Sequence, residues 1–380
     1  MRTWTEINID AIKANIREIK SKTNAKILGI VKADAYGHGV KQIATALMEE
    51  GVYAFGVSNA DEAMELRKFG FALPILVLGI IFPEDYHRII ENDIAITVDT
   101  PEAARLLSQE AQRLGKDAHI HIKLDTGMGR IGFACNKTSA EQIQEISKLP
   151  GIRISGIFSH LSRADEEDTS YSDTQFKKFS DMCSILADMG VDTGIKHIAN
   201  SAATVTLPHT HLDMVRVGMI VYGFSPSDYV AKSINLKGAM TFKTRICHIK
   251  TITDDSPISY GGRYIAKKGQ KIATIPIGYA DGFSRTLSGK ASVLVCGERA
   301  KIVGNICMDQ CMIDVSHIKN IKIGDEVIIF GSDGNNTITV ESVALLSETI
   351  NYEIVCSVTR RVPRAYIQGN KITDTLNYLQ

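Results

Sequence analysis

Two patterns of hydrophobic and polar positions divide the chain. Up to about residue 220, short β-type runs alternate with stretches of helical periodicity. Eight such runs are present: Ile27 to Val31, Ala54 to Val57, Ile75 to Leu78, Ile94 to Val98, Ala118 to Leu124, Ile154 to Ser159, Lys196 to Ala199 and Met214 to Val217. Between them lie helix signals. Thr100-Pro101 is an N-cap followed by proline at the first helical position, and it leads to a stop at Gly115. Ser172 to Gly190 places Phe176, Phe179, Met182, Cys183 and Leu186 on one face, as a helix covering a sheet does. Eight β-α units predict an α/β fold, an N-terminal (β/α)8 TIM barrel with an all-parallel sheet. Beyond about residue 235 the runs Lys271 to Ile275, Ser292 to Cys296 and Val327 to Phe330 are separated by glycine-rich turns, with one clear helix near Thr339 to Leu346. A C-terminal, mainly β-strand domain is expected there, dividing the chain into residues 1–235 and 236–380.

Composition narrows the function classes. Lys plus Arg and Asp plus Glu both number 43, so the formal charge is zero and neither nucleic acid nor an anionic membrane has an electrostatic footprint. With 23% charged and 44% hydrophobic residues the chain reads as globular rather than disordered. The apolar stretch Phe71 to Phe82 is broken by Pro74 and Gly79 and is shorter than the roughly 18 residues of a membrane span. Glu6 and Asp10 interrupt any secretory signal, so a cytoplasmic location is expected. The seven cysteines form no C-x-x-C pair, and neither zinc nor disulfides are expected.

In a barrel of this kind the reactive groups gather at the carboxyl ends of the strands. Lys32 ends the first strand, Lys123 and Arg130 flank the exit of the fifth, His160 follows the sixth, Asn200-Ser201 the seventh, and Arg216 ends the eighth. A lysine at the end of the apolar run ILGIVK is costly to bury as a cation, and its natural use is as an amine that forms a Schiff base. The alternative is a side chain that snorkels to the rim. Barrels often bind phosphate with the loops after strands seven and eight, which here offer Ser201 at a helix start and Gly218. Lysine, phosphate cup and Arg216 together suggest pyridoxal phosphate.

Other patterns carry less. Tyr36-Gly37-His38-Gly39 looks like a dinucleotide loop but has Gln42 where the third glycine belongs. His119 and His121, and His209 and His211, have no carboxylate at a matching spacing, and they read as structural histidines rather than metal ligands.

The motif VKADAYGHG (Val31 to Gly39) resembles the cofactor-lysine segment of the bacterial alanine racemases. Eight more follow in that family's order: KLDTGMGRIG (from Lys123), FSHLSRAD (from Phe158), NSAAT (from Asn200), RVGMIVYG (from Arg216), SYGGRY (from Ser259), GYADG (from Gly278), CMDQ (from Cys307) and YEIVC (from Tyr352). The resemblance implies a fold-type III pyridoxal 5′-phosphate enzyme that interconverts L- and D-alanine and supplies D-alanine for peptidoglycan. It also implies a head-to-tail homodimer with shared active sites. Lys32 would hold the cofactor and act as one base, with Tyr260 of the partner subunit as the other, because racemisation needs a base on each face of Cα. Free tyrosine titrates near pKa ~10 and needs nearby cations to serve as a base. His160, Arg130 and Arg216 would lie along that network, with Arg216 facing the pyridine nitrogen. Tyr36, Ser201, Gly218, Met219 and Tyr352 match phosphate contacts, and Arg130 and the backbone amide of Met308 match contacts to the substrate carboxylate. Lys123 matches a lysine often carbamylated in the family; Asp309 and Tyr279 would support the site. Two positions depart from the family pattern. Asn305 replaces a frequent arginine near the substrate entrance and Asn351 a common proline, which bears on entrance charge and substrate breadth.

Two other readings compete. A related racemase could act on serine or on a broad range of amino acids, and Tyr352 is the discriminating residue. A non-catalytic pyridoxal phosphate-binding protein would resemble the barrel alone, whereas Tyr260 and CMDQ lie outside it.

Overall fold

The computed structural model describes all 380 residues, and they fall into two compact units. One comprises Lys13–Ala35 and Val40–Leu236; the other comprises Met1–Ile12, Tyr36–Gly39 and Lys237–Gln380.

The first unit is a barrel. Its eight parallel strands are Lys26–Ile30, Ala54–Val57, Ile75–Val77, Ala95–Val98, Ala118–Asp125, Ile152–Phe158, Ile195–His197 and Met214–Val217, and the first seven pair in sequence order. The last strand pairs in turn with the first, Met214 opposite Lys26. Between the seventh and eighth, the Asp213 N–H donates to the Lys196 carbonyl at 3.1 Å and the Arg216 N–H to that of Ala199 at 3.0 Å, which completes the ring. Strands such as Ile75–Val77 are buried along their whole length because helices cover the outside and side chains fill the inside. The helices start where short polar side chains satisfy orphan amides. Asn59, Thr100, Asn136 and Asn200 each accept a hydrogen bond from the N–H three residues on. Gly115 ends its helix in the left-handed conformation, φ 64°.

The second unit is built on a larger sheet. Strands Met240–Arg245 and Glu326–Asp333 pair antiparallel near its middle, and Arg364–Gln368 with Lys371–Leu376 form one edge. The N-terminus corrects the expected division at residue 235. Thr3–Asn8 is a strand of this sheet, antiparallel to Met240–Arg245 with Thr5 opposite Phe242, and parallel to Arg364–Gln368. Thr3, Trp4, Thr5 and Ile7 are buried by that pairing, so residues 1–12 belong with the C-terminal unit. A second helix, Asn351–Cys356, follows Val340–Leu346, where the sequence predicts only one. Asn351 is buried there and its side-chain amide donates to Glu341 Oε1 at 3.1 Å.

A hairpin of Ser256–Ile258 and Tyr264–Ala266 projects from this unit, packed on Ile252, Ile272 and Val303. Its tip carries Tyr260.

Candidate active site

Lys32 follows the first barrel strand and opens a tight turn. Ala33, Asp34, Ala35 and Tyr36 all lie in the left-handed region, with φ between 52° and 54°. Four consecutive L-residues there cost roughly 1–2 kcal/mol each, and such strain persists only where the surroundings over-determine it. The Ala33 N–H donates to Glu62 Oε1 at 2.8 Å, Asp34 Oδ1 accepts from the Val40 N–H at 2.8 Å, and the Ala35 N–H donates to the Val31 carbonyl at 2.9 Å. The segment that follows is gripped within the β unit. Arg364 Nε donates to the Gly37 carbonyl at 3.0 Å and the Tyr366 hydroxyl to that of His38 at 3.1 Å. Gly39, at φ +91°, admits no side chain, because a Cβ would fall on the Tyr366 hydroxyl. Tyr36 is buried in this unit with its ring centroid 6.1 Å from that of the half-buried Tyr352.

Arg216 organises the barrel interior. It is buried at 4% exposure, and its guanidinium reaches only uncharged acceptors: His197 Nδ1 at 3.1 Å, His160 Nδ1 at 3.0 Å, and the carbonyls of Ser159 and Ile198 at 2.8 and 3.1 Å. A guanidinium only donates, so both imidazoles must accept at Nδ1 and carry their proton on Nε2. The His197 Nε2–H then donates to His121 Nδ1 at 2.9 Å. Burial is the first cause, and the Arg216 cation the second, holding His160 and His197 well below the ordinary imidazole range and His121 at about 3. Burial also lowers Arg216 itself, to about 9.

After burial and Arg216, the charges of Arg130, Lys123 and Lys32 each press the proton affinity of His160 down, and of these cations Arg216 is the one hydrogen-bonded to the ring. Lys123 lies inside the fifth strand at 2% exposure, where its ammonium donates to the Leu124 carbonyl at 2.6 Å; burial, then Arg216, lowers it to about 8. Arg130 is exposed and pairs with no carboxylate, while the preceding loop is pinned by Asp125 accepting from the N–H groups of Gly127 and Gly129. Ser201, first residue of its helix, accepts from the Gly218 N–H at 2.8 Å, which leaves the hydroxyl proton free to donate. Gly218 thus braces Ser201 through its amide, and Met219 beside it is fully buried.

Within the β unit, Tyr260 is 74% exposed and Met308 52% exposed. The Tyr279 and Ala280 N–H groups donate to the carbonyls of Cys307 and Met308, both at 3.1 Å, while the Met308 N–H has no acceptor in the chain. Asp309 pairs with Arg361 at 2.8 Å, and Tyr279 is exposed. Sequence reasoning missed the His197–His121 extension, because hydrogen-bonded imidazoles 76 residues apart leave no mark in spacing. It also missed the carboxylate beside His209, which is Asp173 at 3.0 Å on the exposed surface. A cavity of about 410 Å³ lined by His119, His121 and Ser155 sits at the opposite, amino-terminal end of the strands, away from these cations.

The family model for the alanine racemase N-terminal domain matches residues 7–226, and that for the C-terminal domain matches residues 239–366. Alanine racemase 2 of Caldanaerobacter subterraneus subsp. tengcongensis is 45% identical over 380 residues, covering 100% of this chain and 98% of the relative. The alanine racemase of Methanococcus maripaludis is 46% identical over 367 residues, 96% and 98% of the two chains. Among solved structures, alanine racemase of Clostridium difficile 630 superposes with a TM-score of 0.97 at 42% identity, covering 100% of this chain and 99% of that one. Alanine racemase from Bacillus anthracis, solved with bound L-Ala-P, gives 0.94 at 38%, covering 100% and 98%.

Proposed function

The chain belongs to the alanine racemase family, whose members are pyridoxal 5′-phosphate-dependent isomerases, and from that premise we propose how its own residues interconvert L-alanine and D-alanine. The observation that carries the reading is the buried Arg216 guanidinium bonded to Nδ1 of both His160 and His197, together with a Ser201 hydroxyl braced by the Gly218 N–H. A buried cation and a hydroxyl donor of this kind suit an anionic, aromatic ligand.

The residues fit the cofactor. Arg216 is a buried donor whose hydrogen-bond partners are all neutral, which would suit an unprotonated pyridine nitrogen, and the Ser201 hydroxyl keeps a proton for an anion. Lys32 would attach the group, and Tyr36, Ser201, Gly218, Met219 and Tyr352 would hold its phosphate. When bound, pyridoxal phosphate supplies the electron sink that acidifies the Cα proton of an amino acid. A cation at Arg216 would disfavour protonation of the ring, which would moderate that sink and limit side reactions such as transamination.

Lys32 Nζ and Tyr260 Oη serve as the two bases, one on each face of Cα. In the L-to-D direction Tyr260 Oη takes the proton and Lys32 Nζ returns one to the other face. The N–H that His160 keeps on Nε2 is a donor suited to a phenolate oxygen. The unpaired Arg130 and the free N–H of Met308 suit the two oxygens of the substrate carboxylate. Asp309, fixed by Arg361, and Tyr279, bonded to Cys307, brace the Met308 segment. An amine with the lowered proton affinity of Lys123 is partly neutral near physiological pH and can add to carbon dioxide, forming a carbamate and releasing a proton; that anion would brace Arg130.

Tyr260 and Met308 would act in the site of a second copy of the chain, in a head-to-tail homodimer with two shared sites. The exposure of both residues in one chain supports this. No helix is long and apolar enough to cross a membrane, which accords with a cytoplasmic enzyme supplying D-alanine for peptidoglycan. The test is incubation of the holoenzyme with L-alanine in deuterated water. D-alanine deuterated at Cα is expected; alanine that stays L and unlabelled would overturn the reading.

A further inference from the structure

The exposed ring of Tyr260 makes no hydrogen bond within its own chain, so whatever aims it acts through the backbone. That backbone is unusual. Ser259 has φ 65° and ψ −178°, a region nearly restricted to glycine, and Gly261 and Gly262 follow at φ 74° and 54°. One neighbouring residue supports this tip from both sides. Asn305 is buried at 5% exposure; its side-chain Nδ2 donates to the Tyr260 carbonyl at 2.7 Å, and its own carbonyl accepts from the Ser259 hydroxyl at 2.6 Å. Gly304 makes the approach possible, since a Cβ there would lie 2.6 Å from the Ile258 carbonyl. The only other polar support is the Gly262 N–H to the Ser259 carbonyl at 3.2 Å, inside the tip itself, and a weak contact of the Ser259 hydroxyl to Cys307 Sγ at 3.4 Å.

We propose that Asn305 is a positioning residue for Tyr260, its side-chain amide clamping the Tyr260 carbonyl and its main chain holding Ser259 in the conformation that presents the phenol. The inference rests on the reading of Tyr260 as one of the two bases. It gives Asn305 an inward role: the amide turns toward the hairpin tip and leaves no charge for the substrate entrance. An arginine could not reproduce a 2.7 Å bond from a short planar amide within the same buried space.

The test uses holoenzyme carrying Asn305→Ala and, as the volume-conserving variant that replaces the amide donor with a carboxyl group, Asn305→Asp. A displacement near 1 Å costs on the order of 10²-fold in rate, so kcat should fall roughly 10- to 100-fold while KM for alanine changes little. The enantiomers have equal free energy, so the two kcat/KM values must stay equal, and the direction-specific readout is the Cα-deuterium isotope effect. With transfer at Tyr260 slowed, the effect should rise for L-alanine, where Tyr260 removes the label, and fall for D-alanine, where its reprotonation step becomes limiting. Isotope effects unchanged in both folded variants, or moved in the same direction for both enantiomers, would overturn the proposal. Tyr260→Phe is measured in parallel. If it shows the split and the Asn305 variants do not, Asn305 is not the positioner and the base assignment stands. If Tyr260→Phe shows no split, the base assignment falls and this inference with it.

Discussion

The barrel and the β unit place their functional groups in opposite ways. In the barrel interior the functional groups sit on regular strands and the side chains are immobilised: Arg216, His197, His121 and Lys123 are buried, each with hydrogen-bond partners at 2.6 to 3.1 Å. In the β unit the side chains of Tyr260, Tyr279 and Met308 stand in solvent, and it is the backbone beneath Tyr260 that is constrained. The contrast teaches where substitution should hurt. A change inside the barrel removes chemistry and packing together, whereas a change at the β unit's exposed groups removes chemistry alone.

The largest expected effect compares one base from each unit. Lys32→Ala and Tyr260→Phe should each lower kcat by on the order of 10³-fold, while Tyr260→Phe changes unfolding free energy by less than about 0.5 kcal/mol. If each site draws on two chains, equal mixing of the two inactive variants should restore about a quarter of the wild-type sites, since half of the dimers are mixed and one site in each keeps both bases. No recovery after demonstrated subunit exchange would break the comparison, placing both bases in one chain.

Next comes Arg216→Leu, which should damage fold and function alike. It strips the Ser159 and Ile198 carbonyls of a charged donor, at about 1–3 kcal/mol for each group left unsatisfied, and denaturant unfolding reads the loss. It also removes the second-largest cause of the low proton affinity of His197 and His160, so both should titrate at higher pH by nuclear magnetic resonance. A variant of wild-type stability would show that the buried cation is not structural.

A smaller effect is a pH dependence. Lys123 falls from 10.5 to about 8 on folding, so between those values the unfolded chain binds more protons than the native one. Stability from this group therefore rises as pH climbs through that window, and its unfavourable contribution is fully present below pH 8. Lys123→Met should accordingly stabilise the fold most at neutral pH, with the advantage over wild type shrinking toward pH 10; an advantage independent of pH would contradict the burial argument. The smallest expected effect is a few-fold change in specificity. Tyr352→Ala should raise serine turnover relative to alanine, because serine adds only a hydroxyl, which an apolar wall rejects weakly. An unchanged ratio of the two catalytic efficiencies would remove Tyr352 from that role.

Much of this arrangement was legible in the chain. All eight barrel strands fall on the β-type runs, because strands covered on both faces are rich in Val, Ile and Leu, as ILV at Ile75–Val77 shows. The rule that strand ends converge also named His160 and Arg216, which the structure joins by a 3.0 Å hydrogen bond. Other features left weaker traces. TWTEIN is a β-prone alternation that could have announced the N-terminal strand, but six residues before a helix do not say which sheet they join. The left-handed turn after Lys32 is built from Ala-Asp-Ala-Tyr, ordinary residues held by Glu62 and Val40, so its conformation is a tertiary property. Asn305 could be identified as a departure from the family pattern, but its inward role needed the distance to Tyr260.

The imidazole chain behind Arg216 has a further consequence. His121, His160 and His197 are fixed in their neutral form, and Arg216 and Lys123 lose protons only at about 9 and 8. From mild acid to neutrality the barrel interior therefore has almost no buffering capacity, although histidine is the residue that ordinarily provides it. The field set up by these imidazoles varies little across that range, so they are not expected to generate an acid limb in the rate profile.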